Sequence, residues 1–446
     1  VVDGNTLYLC LNGKTLSSNG EKKIKVRNNA RLVLCDCSGG GTIKGATKDV
    51  WGGACVYLYT STFDMFGGKL TGGRVTGKGG GGAIALDDPQ CVFNMYGGEI
   101  SKNDGNKAGG AIFRTFGSGV NQPGGTFNMY GGTIKDNKAQ NGGAFYSVTA
   151  SKVNLAGGTI SGNQSTSTSN QDYTGGGAIY LRGGGTLTIS GTQITGNSAK
   201  KDGGAIFAGC RNFTISGSAT LTGNTAGRRG GAICLYSDTG VDAKLDMTGG
   251  TISGNNATND GGGVYVGKKG TLTLNGSAVF TGNKAKWGGA IYLTDNSSMT
   301  MTSGKLAQNN ASEQGGGVFS YSDSSSFSLS GGTIESNTAG KNGGAVYINK
   351  GALKISGNPV VTGNTVSGKA NNVYLPSGKM LTISGTMSSG ASVGVKTANT
   401  NYPVVFSNAY GQNYETLFFA DDTANAHVEY NDDQKLQLAA GAHKYN

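Results

Sequence analysis

Residues Gly288–Leu293 read Gly-Gly-Ala-Ile-Tyr-Leu, and an alternating segment follows them that ends in a turn at Asn309. Variants of this pattern recur from about residue 50 to about residue 375. The second glycine of the doublet falls at Gly53, Gly82, Gly110, Gly143, Gly177, Gly204, Gly231, Gly262, Gly289, Gly316 and Gly344. Most of these positions are 27 to 29 residues apart. A fixed period between about 20 and 50 residues is typical of a solenoid, in which each repeat forms one coil.

Each repeat carries three strand signals. The second residue after the glycines is apolar in every repeat, as at Ile291. A strict alternation comes next, with pairs such as Leu272 and Leu274 on either side of a polar residue. The third signal leads into a turn that ends in asparagine, as at Asn283. Three period-2 strands joined by turns too short for a helix make one triangular coil, and stacked coils pair their strands in parallel. The sequence therefore predicts an all-β fold, a single-stranded right-handed parallel β-helix of about 12 coils with three strands per coil.

The repeat pattern divides the chain into three parts. Residues 1–50 alternate but lack a glycine doublet until Gly39, so we expect an N-terminal cap and the first coil or two. Residues 51–395 contain the β-helix repeats. Residues 396–446 lose the period, and we expect a C-terminal cap or the start of a linker to another module, because a stacked array must shield its end layers. The chain begins at Val1 without a methionine, and we expect it to be part of a larger protein.

Composition narrows the class of protein. Glycine accounts for 82 of 446 residues and proline for only 5, which excludes collagen, while 36% hydrophobic residues at regular spacing argue against disorder. Basic residues exceed acidic ones by 37 − 26 = 11. That excess favours anionic partners such as acidic glycans. No nucleic-acid-binding motif accompanies it, so we expect no nucleic acid partner, and no apolar run is long enough to span a membrane.

The cysteines leave three interpretations open. The seven are Cys10, Cys35, Cys37, Cys55, Cys91, Cys210 and Cys234. They allow a Cys10–Cys35 bridge, a metal cluster of Cys10, Cys35, Cys37 and Cys55, or buried thiols in a capping layer. The spacings of known zinc sites are absent, and both histidines, His427 and His443, lie outside the repeats. We therefore predict no bound metal and no cofactor, with Ca²⁺ as the one possible exception.

One column of the repeat varies more than the rest. Two residues before the second glycine stand Trp51, Asp202, Arg229, Asp260, Trp287 and Gln314, with Glu313 beside the last. On successive coils these side chains would form a cleft in which tryptophan stacks on a sugar ring and arginine and glutamine bind hydroxyl groups or a uronate. Carboxylates two coils apart lie about 10 Å from each other, near the separation used by inverting glycosidases. The alternative interpretation is ordinary turn polarity before glycine.

Two further groups are candidates. Asp87 and Asp88, with Arg114 one coil away, could hold Ca²⁺ or supply an acid and a base, although Asp-Asp-Pro is also a common turn. The third residue after the glycines is aromatic in nine of twelve repeats, and we expect these rings to face outward. They are Phe113, Tyr146, Tyr180, Phe207, Tyr265, Tyr292, Phe319, Tyr347 and Tyr374. They indicate either a platform for sugars, with Tyr265 and Tyr292 contacting the ligand, or a ladder that only stabilises the strands.

The Gly-Gly-Ala-Ile repeats resemble those of a known group of proteins. They occur at residues 81–84, 109–112, 176–179, 203–206, 230–233 and 288–291. With the asparagine turn that follows, they resemble the repeats of chlamydial polymorphic outer-membrane proteins, and more closely the β-helical surface and secreted proteins of Gram-positive gut bacteria. Here Ile usually stands where the chlamydial repeat has Phe. The resemblance implies adhesion or surface display.

These observations support two hypotheses of function. The first is an extracellular bacterial surface adhesin or display stalk, monomeric, that binds glycan or a host protein through one face of the β-helix. The alternative is a polysaccharide-active enzyme, a lyase or glycoside hydrolase, with an acidic groove along the helix. An enzyme usually interrupts its repeat around a unique acidic cluster, whereas this sequence is mostly monotonous, which favours the adhesin.

Overall fold

Apolar residues at alternate positions turn inward in every repeat and form the core. In the strand Thr271–Leu274, for example, Leu272 and Leu274 are fully buried while the two threonines are half-buried. A computed structural model describes residues 1–17, 23–48, 52–77, 80–114, 122–169, 171–172, 174–237, 240–408 and 413–441. Within those ranges the only helical segment is the 3₁₀ turn Glu415–Leu417. The all-β, parallel β-helix prediction is confirmed.

The strands form two compact units, Val1–Leu245 and Asp246–Asn446, each with the same organisation. Three columns of strands correspond to the three signals of the repeat. Within a column, neighbouring strands pair in parallel so that equivalent residues lie side by side, as Ile84 and Ile112 do in one column and Leu187 and Phe213 in another. This register places like side chains in rows along each unit.

In the first unit, the first column consists of Val2–Asp3, Ile24–Arg27, Val56–Tyr59, Ile84–Leu86, Ile112–Arg114, Phe145–Ser147, Ile179–Leu181, Ile206–Ala208 and Ile233–Leu235. The second column consists of Thr6–Cys10, Arg31–Cys35, Thr62–Met65, Val92–Met95, Pro123–Met129, Ala150–Leu155, Thr186–Ile189 and Asn212–Ile215. The third column consists of Thr15–Ser17, Thr42–Lys44, Lys69–Thr71, Glu99–Ser101, Thr133–Lys135, Thr159–Ser161, Gln193–Thr195 and Thr220–Thr222. The strand Lys244–Met247 contains the boundary between the two units.

In the second unit, the first column consists of Val264–Val266, Ile291–Leu293, Val318–Ser320, Val346–Ile348, Val373–Leu375, Ser392–Thr397 and Phe418–Ala420. The second column consists of Thr271–Leu274, Ser298–Met301, Ser326–Leu329, Ala352–Gly357 and Thr382–Met387. The third column consists of Thr251–Ser253, Val279–Thr281, Lys305–Ala307, Thr333–Glu335 and Val360–Thr362.

A short strand follows the asparagine turn in most coils, which the sequence did not predict. In the first unit these strands are Thr47–Lys48, Arg74–Val75, Lys138–Ala139, Gln164–Ser165, Ser198–Ala199 and Thr225–Ala226. In the second they are Asn256–Ala257, Lys284–Trp287, Asn310–Gln314, Thr338–Ala339, Thr365–Val366 and Lys369–Ala370. Most contribute a single buried residue, so they carry no periodic signal of their own.

Within residues 1–48, the described ranges 1–17 and 23–48 form parallel coils. The strands Thr6–Cys10, Arg31–Cys35 and Thr62–Met65 pair in parallel and in register, although no glycine doublet precedes Gly39. Coils without doublets at both ends of the repeat region raise the total to about 15 turns, against about 12 predicted.

The described part of residues 396–441 is folded and belongs to the second unit. The strands Ser392–Thr397 and Phe418–Ala420 continue the parallel pairing. A small antiparallel sheet of Val404–Val405, Ala426–Tyr430 and Leu436–Ala440 follows. Phe406 and Phe418 pack within this region, with ring centroids 5.6 Å apart, and both are buried.

The glycine doublet makes the corner before each first-column strand. Gly288 adopts φ +65, a conformation that L side chains rarely take. At the adjacent Gly289 the restriction is space, because a Cβ would lie 2.3 Å from the carbonyl oxygen of Gly316. Gly288 is therefore required for its backbone conformation, and Gly289 is required because neighbouring coils approach closely at this position.

Candidate functional site

An exposed row of aromatic side chains runs along the second-column face of the first unit. In the strand Thr62–Met65 the inward residues are Phe63 and Met65, so Asp64 and the following Phe66 are placed on the outer side. The next two coils repeat this arrangement and put Tyr96 and Tyr130 beside Phe66. We call Phe66, Tyr96 and Tyr130 the exposed aromatic row.

The three rings are stacked and open to solvent. The centroids of Phe66 and Tyr96 are 4.6 Å apart with an interplanar angle of 7°, and those of Tyr96 and Tyr130 are 5.0 Å apart at 14°. Their side chains are 51%, 42% and 50% exposed, respectively, which places them among the most exposed large apolar residues described. Soluble proteins seldom expose a contiguous apolar patch without a binding role.

The row ends at Tyr130, because the next coil offers only a small side chain. Met129 pairs with Leu155, so the residue beside Tyr130 is Ala156. The following coils of this unit carry Ser190 and Ser216 after their second-column strands. Within the row the ring faces cover one another, but a methyl group cannot cover the outer face of Tyr130. One flat aromatic face therefore remains available at this end.

A row of amides runs parallel to the rings. The side-chain amide of Asn94 donates to Asp64 Oδ1 at 2.7 Å, Asn128 donates to Asn94 at 2.8 Å, and Asn154 donates to Asn128 at 2.6 Å. The three asparagines are half-buried, so their remaining polar atoms border solvent. Asp64 is buried and forms an ion pair with Arg31 at 2.5 Å. Hydrogen-bonding groups thus flank the apolar rings, a combination that occurs in ligand-binding sites.

A shallow groove adjoins the aromatic row on its other side. Its volume is about 330 Å³, and it is lined by Asp36, Gly39, Gly40, Gly41, Gly68, Lys69, Gly98 and Glu99. Glu99 lies between two lysines, at 2.8 Å from Lys69 Nζ and 3.0 Å from Lys135 Nζ. Burial alone would raise the pKa of Glu99, but hydrogen bonds from Lys69, Ser101 and Lys135 lower it to about 2. The groove is therefore polar and carries a fixed carboxylate.

This row was not among the predicted sites, although the sequence carries a signal for it. A motif of Phe, a polar residue, Met, an aromatic residue and two glycines occurs at residues 63–68, 93–98 and 127–132 and in no later coil. The alternation already places the aromatic residue outward in these three copies. The predicted aromatic platform was instead placed at the residues after the glycine doublet, where aromatic side chains are more frequent.

Eight of the nine rings predicted to face outward are buried and Tyr374 is half-buried, so the expectation of an exposed stripe was wrong. Tyr265 is 5% and Tyr292 7% exposed, and their rings stack 5.5 Å apart. In the first unit Tyr146 and Tyr180 stack at 5.0 Å and are equally buried. The glycine corner folds against the base of these rings: a Cβ on Gly343 would lie 2.8 Å from the Cβ of Tyr347. The column is thus a packing ladder, as the alternative interpretation held.

The variable column behaves differently in the two units. In the first, Asp202 is buried rather than lining a cleft, and the Nε and Nη2 atoms of Arg228 bind both of its oxygens. Burial raises the pKa of Asp202 even though the hydrogen bonds from Arg228 lower it. Arg229 faces Asp172, with 3.2 Å between Nη1 and Oδ1. Asp202 and Arg229, which were predicted to bind or cleave a glycan, therefore form ion pairs with neighbouring side chains.

In the second unit the predicted stacking of the column is observed. Asp260 pairs with Trp287, and Trp287 pairs with Gln314, on successive coils. All three side chains are half-buried. Lys286 Nζ lies 4.2 Å from the centroid of the Trp287 ring, and Glu313 forms an ion pair with Lys341. These contacts reduce the surface left for a ligand. Trp51 lies outside the described residues.

Asp87, Asp88 and Arg114 do not form an open catalytic pair. The Tyr57 hydroxyl donates to Asp87 Oδ2, and Asp88 Oδ1 accepts the backbone N–H of Gln90 at 2.8 Å, which is a turn contact. Arg114 is buried, and burial lowers its pKa. In the described part of the chain, no third acidic side chain completes a cation site with the two aspartates.

The cysteines separate into two groups. Cys55, Cys91, Cys210 and Cys234 are buried, and burial raises the pKa of each thiol. Cys10, Cys35 and Cys37 instead lie together near the surface, and all seven cysteines are free thiols in this structure. Of the three interpretations left open, the Cys10–Cys35 bridge is absent, and the cluster has three members rather than four because Cys55 lies outside it.

The fold and the comparisons agree on the class of protein. A family model described as the right handed beta helix region matches residues 177–360, and it supports the predicted handedness. No curated protein and no solved structure matches the chain. In the described ranges, no helix has both the length and the apolar character needed to cross a membrane. The chain is a right-handed parallel β-helical repeat protein, a fold shared by adhesins and polysaccharide-active enzymes.

Proposed function

We propose that this protein is an extracellular, non-catalytic adhesin or display stalk of a bacterial surface that binds glycan through the exposed aromatic row. The observation that carries the proposal is the row itself: three stacked rings, 42–51% exposed, on three consecutive coils. The likeness to surface proteins of Gram-positive gut bacteria and to chlamydial repeats supports display outside the cell.

The geometry supports a sugar as ligand in three ways. The open face of Tyr130 can stack on the C–H face of a pyranose ring, because the neighbouring Ala156 leaves it uncovered. The amides of Asn128 and Asn154 lie on adjacent strands of the same face and can bind hydroxyl groups. The net charge of +11 favours an acidic glycan over a neutral one.

The enzymatic alternative receives less support from the same structure. Three of the candidate carboxylates are engaged by neighbouring side chains, Asp202 by Arg228, Glu313 by Lys341 and Asp87 by Tyr57. A general acid or base needs a carboxyl group that can reach the substrate. The last two candidate carboxylates are Asp88, whose Oδ1 accepts the backbone N–H of Gln90, and Asp260, which is half-buried.

A glycan array with the purified chain tests the proposal. We expect binding to acidic glycans that weakens as salt concentration rises, because added ions screen exposed charges. Tyr130→Ala should weaken binding by roughly two- to twelve-fold, the equivalent of about 0.5–1.5 kcal/mol for one aromatic contact. Ala156→Tyr should weaken it as well, because a fourth ring would cover the open face of Tyr130.

Matched controls separate binding from stability. Tyr321→Ala removes a ring that is 49% exposed but lies outside the row, and Ala156→Ser changes the same position without adding a ring. Both should bind as the unmodified chain does. Unchanged binding by Tyr130→Ala, or capture of protein ligands but of no glycan, would contradict the proposal. Release of products from a retained polysaccharide, lost in Asp88→Asn or Asp260→Asn, would establish the enzyme instead.

A further inference from the structure

Three cysteines converge beside the exposed aromatic row. Cys10 and Cys35 occupy paired positions at the ends of neighbouring second-column strands. Leu34 pairs with Met65, so the residue beside Cys35 in the next coil is Phe66, the first ring of the row. Cys37 follows two residues after Cys35. The Sγ atoms of the three cysteines all lie within 4.8 Å of one another.

The backbone around this cluster is held in place by Asp36. Its Oδ1 accepts the N–H of Gly13 at 2.8 Å, and its Oδ2 accepts the N–H of Gly41 at 2.6 Å. The carboxylate thereby ties the Cys35–Cys37 segment to the turn that follows Cys10. The N–H of Cys37 also donates to Cys10 Sγ at 3.3 Å. The three sulfurs are therefore positioned by backbone contacts rather than by chance.

The spacing of the sulfurs suits a single soft cation. Metal–sulfur bonds of about 2.3 Å place thiolate ligands roughly 3.8 Å apart around a tetrahedral ion. Cys10 and Cys37 are closer than that, with 2.6 Å between their Sγ atoms, but both side chains are exposed and can rotate apart. Among the described residues, no other group of three or more Cys, His, Asp or Glu ligand atoms comes this close together.

We propose that Cys10, Cys35 and Cys37 form a three-thiolate site for a thiophilic cation such as Zn²⁺ or Cu⁺, with a further coordination position open to solvent. Thiolates select these ions over Ca²⁺ and Mg²⁺. Each thiol releases its proton as the ion binds. The competing arrangement is a Cys10–Cys37 disulfide, which would use two sulfurs and leave Cys35 without a role. The site does not depend on glycan binding.

Titration of the reduced chain with Cd²⁺, under anaerobic conditions, tests this proposal. Cd²⁺ is a thiophilic probe whose thiolate complexes absorb in the ultraviolet. We expect one equivalent to bind with a sulfur-to-cadmium charge-transfer band. Cys10→Ser, Cys35→Ser and Cys37→Ser should each weaken binding by about tenfold or more, since loss of even outer-shell partners has effects of that size. Cys37 is exposed, so its replacement disturbs no packing.

Cys210→Ala is the matched control, because it removes a buried thiol far along the sequence and outside the cluster. It should retain the band and the stoichiometry. Retention of tight binding by Cys35→Ser would overturn the three-sulfur site. So would a Cys10–Cys37 disulfide, found by mass spectrometry of a non-reduced digest, that persists under mild reductant and blocks Cd²⁺ uptake. Absence of any charge-transfer band in the reduced chain would overturn it too.

Discussion

At the level of single residues, a ladder of buried asparagines connects neighbouring coils. The side-chain amide of Asn197 donates to Asn224 Oδ1 at 3.0 Å, to the carbonyl of Ile160 at 3.0 Å and to that of Thr195 at 3.2 Å. Its Oδ1 accepts both the backbone and the side-chain N–H of Asn163. One side chain therefore satisfies groups from three coils in a region without solvent.

Replacement of Asn197 by alanine should destabilise the chain strongly. The change removes the acceptor of the buried backbone N–H of Asn163, and an unpaired buried donor costs about 1–3 kcal/mol. The measurement is the midpoint of urea-induced unfolding. Asn128→Ala is the control, because Asn128 has similar side-chain bonds to Asn94 and Asn154 but is half-buried, so water can replace them. Equal losses in the two variants would contradict the argument from burial.

In the second unit, an equivalent asparagine ladder ends in a carboxylate at the C-terminal element. Asn364 donates to Asn372 Oδ1 at 2.8 Å, and Asn372 donates through its side chain and its backbone to Asp421, both at 2.6 Å. Burial raises the pKa of Asp421 from 3.8 to about 6, although the hydrogen bonds from Asn372 lower it. Asp421, which follows the strand Phe418–Ala420, thus supplies a hydrogen-bond acceptor that joins the terminal segment to the coils.

The pKa of Asp421 predicts a pH dependence of stability. A folded-state pKa above the unfolded value means that the folded chain binds more protons between about pH 4 and pH 6. The free energy of unfolding should therefore fall as pH rises through this interval and level off above it, by up to about 3 kcal/mol before solvent screening. Asp421→Asn should abolish this slope in chemical unfolding curves recorded across the interval.

Asp422→Asn serves as the control for this experiment. It removes a neighbouring charge whose carboxylate contacts Asn425 and not the asparagine ladder. The slope should persist in that variant. A slope that is equally steep in Asp421→Asn would show that another group titrates, and it would remove the link between the ladder and the terminal strand.

At the level of elements, the sequence predicted the strands that bury at least one large apolar side chain. Apolar residues alternate with polar ones in such strands, as at Leu272 and Leu274 or at Phe63 and Met65. A row of apolar side chains with a period of two indicates a strand with one buried face. The short strands after the asparagine turn escaped prediction because each buries one small residue, such as Ala139 or Ala199. Residues 1–50 were predicted as an N-terminal cap and the first coil or two, because they alternate but have no glycine doublet before Gly39.

At the level of the whole chain, each coil is stabilised by its neighbours in the stack. A repeat array of this kind gains stability from the interfaces between adjacent repeats, so a coil with one neighbour is held less firmly than one with two. The strand Thr15–Ser17 illustrates this, since all three of its side chains are exposed, whereas the equivalent strand Gln193–Thr195 in the same unit has a buried Ile194.

Hydrogen exchange should reveal this gradient. We expect the backbone amides of Thr6–Cys10 and Thr15–Ser17 to exchange faster than those of Thr186–Ile189 and Gln193–Thr195, because local opening requires the loss of fewer buried contacts. Exchange followed by mass spectrometry of peptic fragments measures the difference within one sample. Equal protection of the two groups would contradict a stack stabilised by nearest neighbours.

The sequence by itself determined the fold, because the constraint that produces a β-helix is local and repeated. Alternating apolar residues, a glycine doublet and an asparagine turn recur at one period, and each copy forms the same coil.

Only the tertiary structure decided which aromatic residues are exposed. Both Tyr292 and Tyr96 lie on strands or at their ends, but the glycine corner covers the first-column rings, whereas nothing in the described chain folds over the row at Phe66, Tyr96 and Tyr130. The tertiary structure likewise decided that Asp202 is neutralised by Arg228 and that Cys37 joins Cys10 and Cys35, since both depend on contacts between different coils.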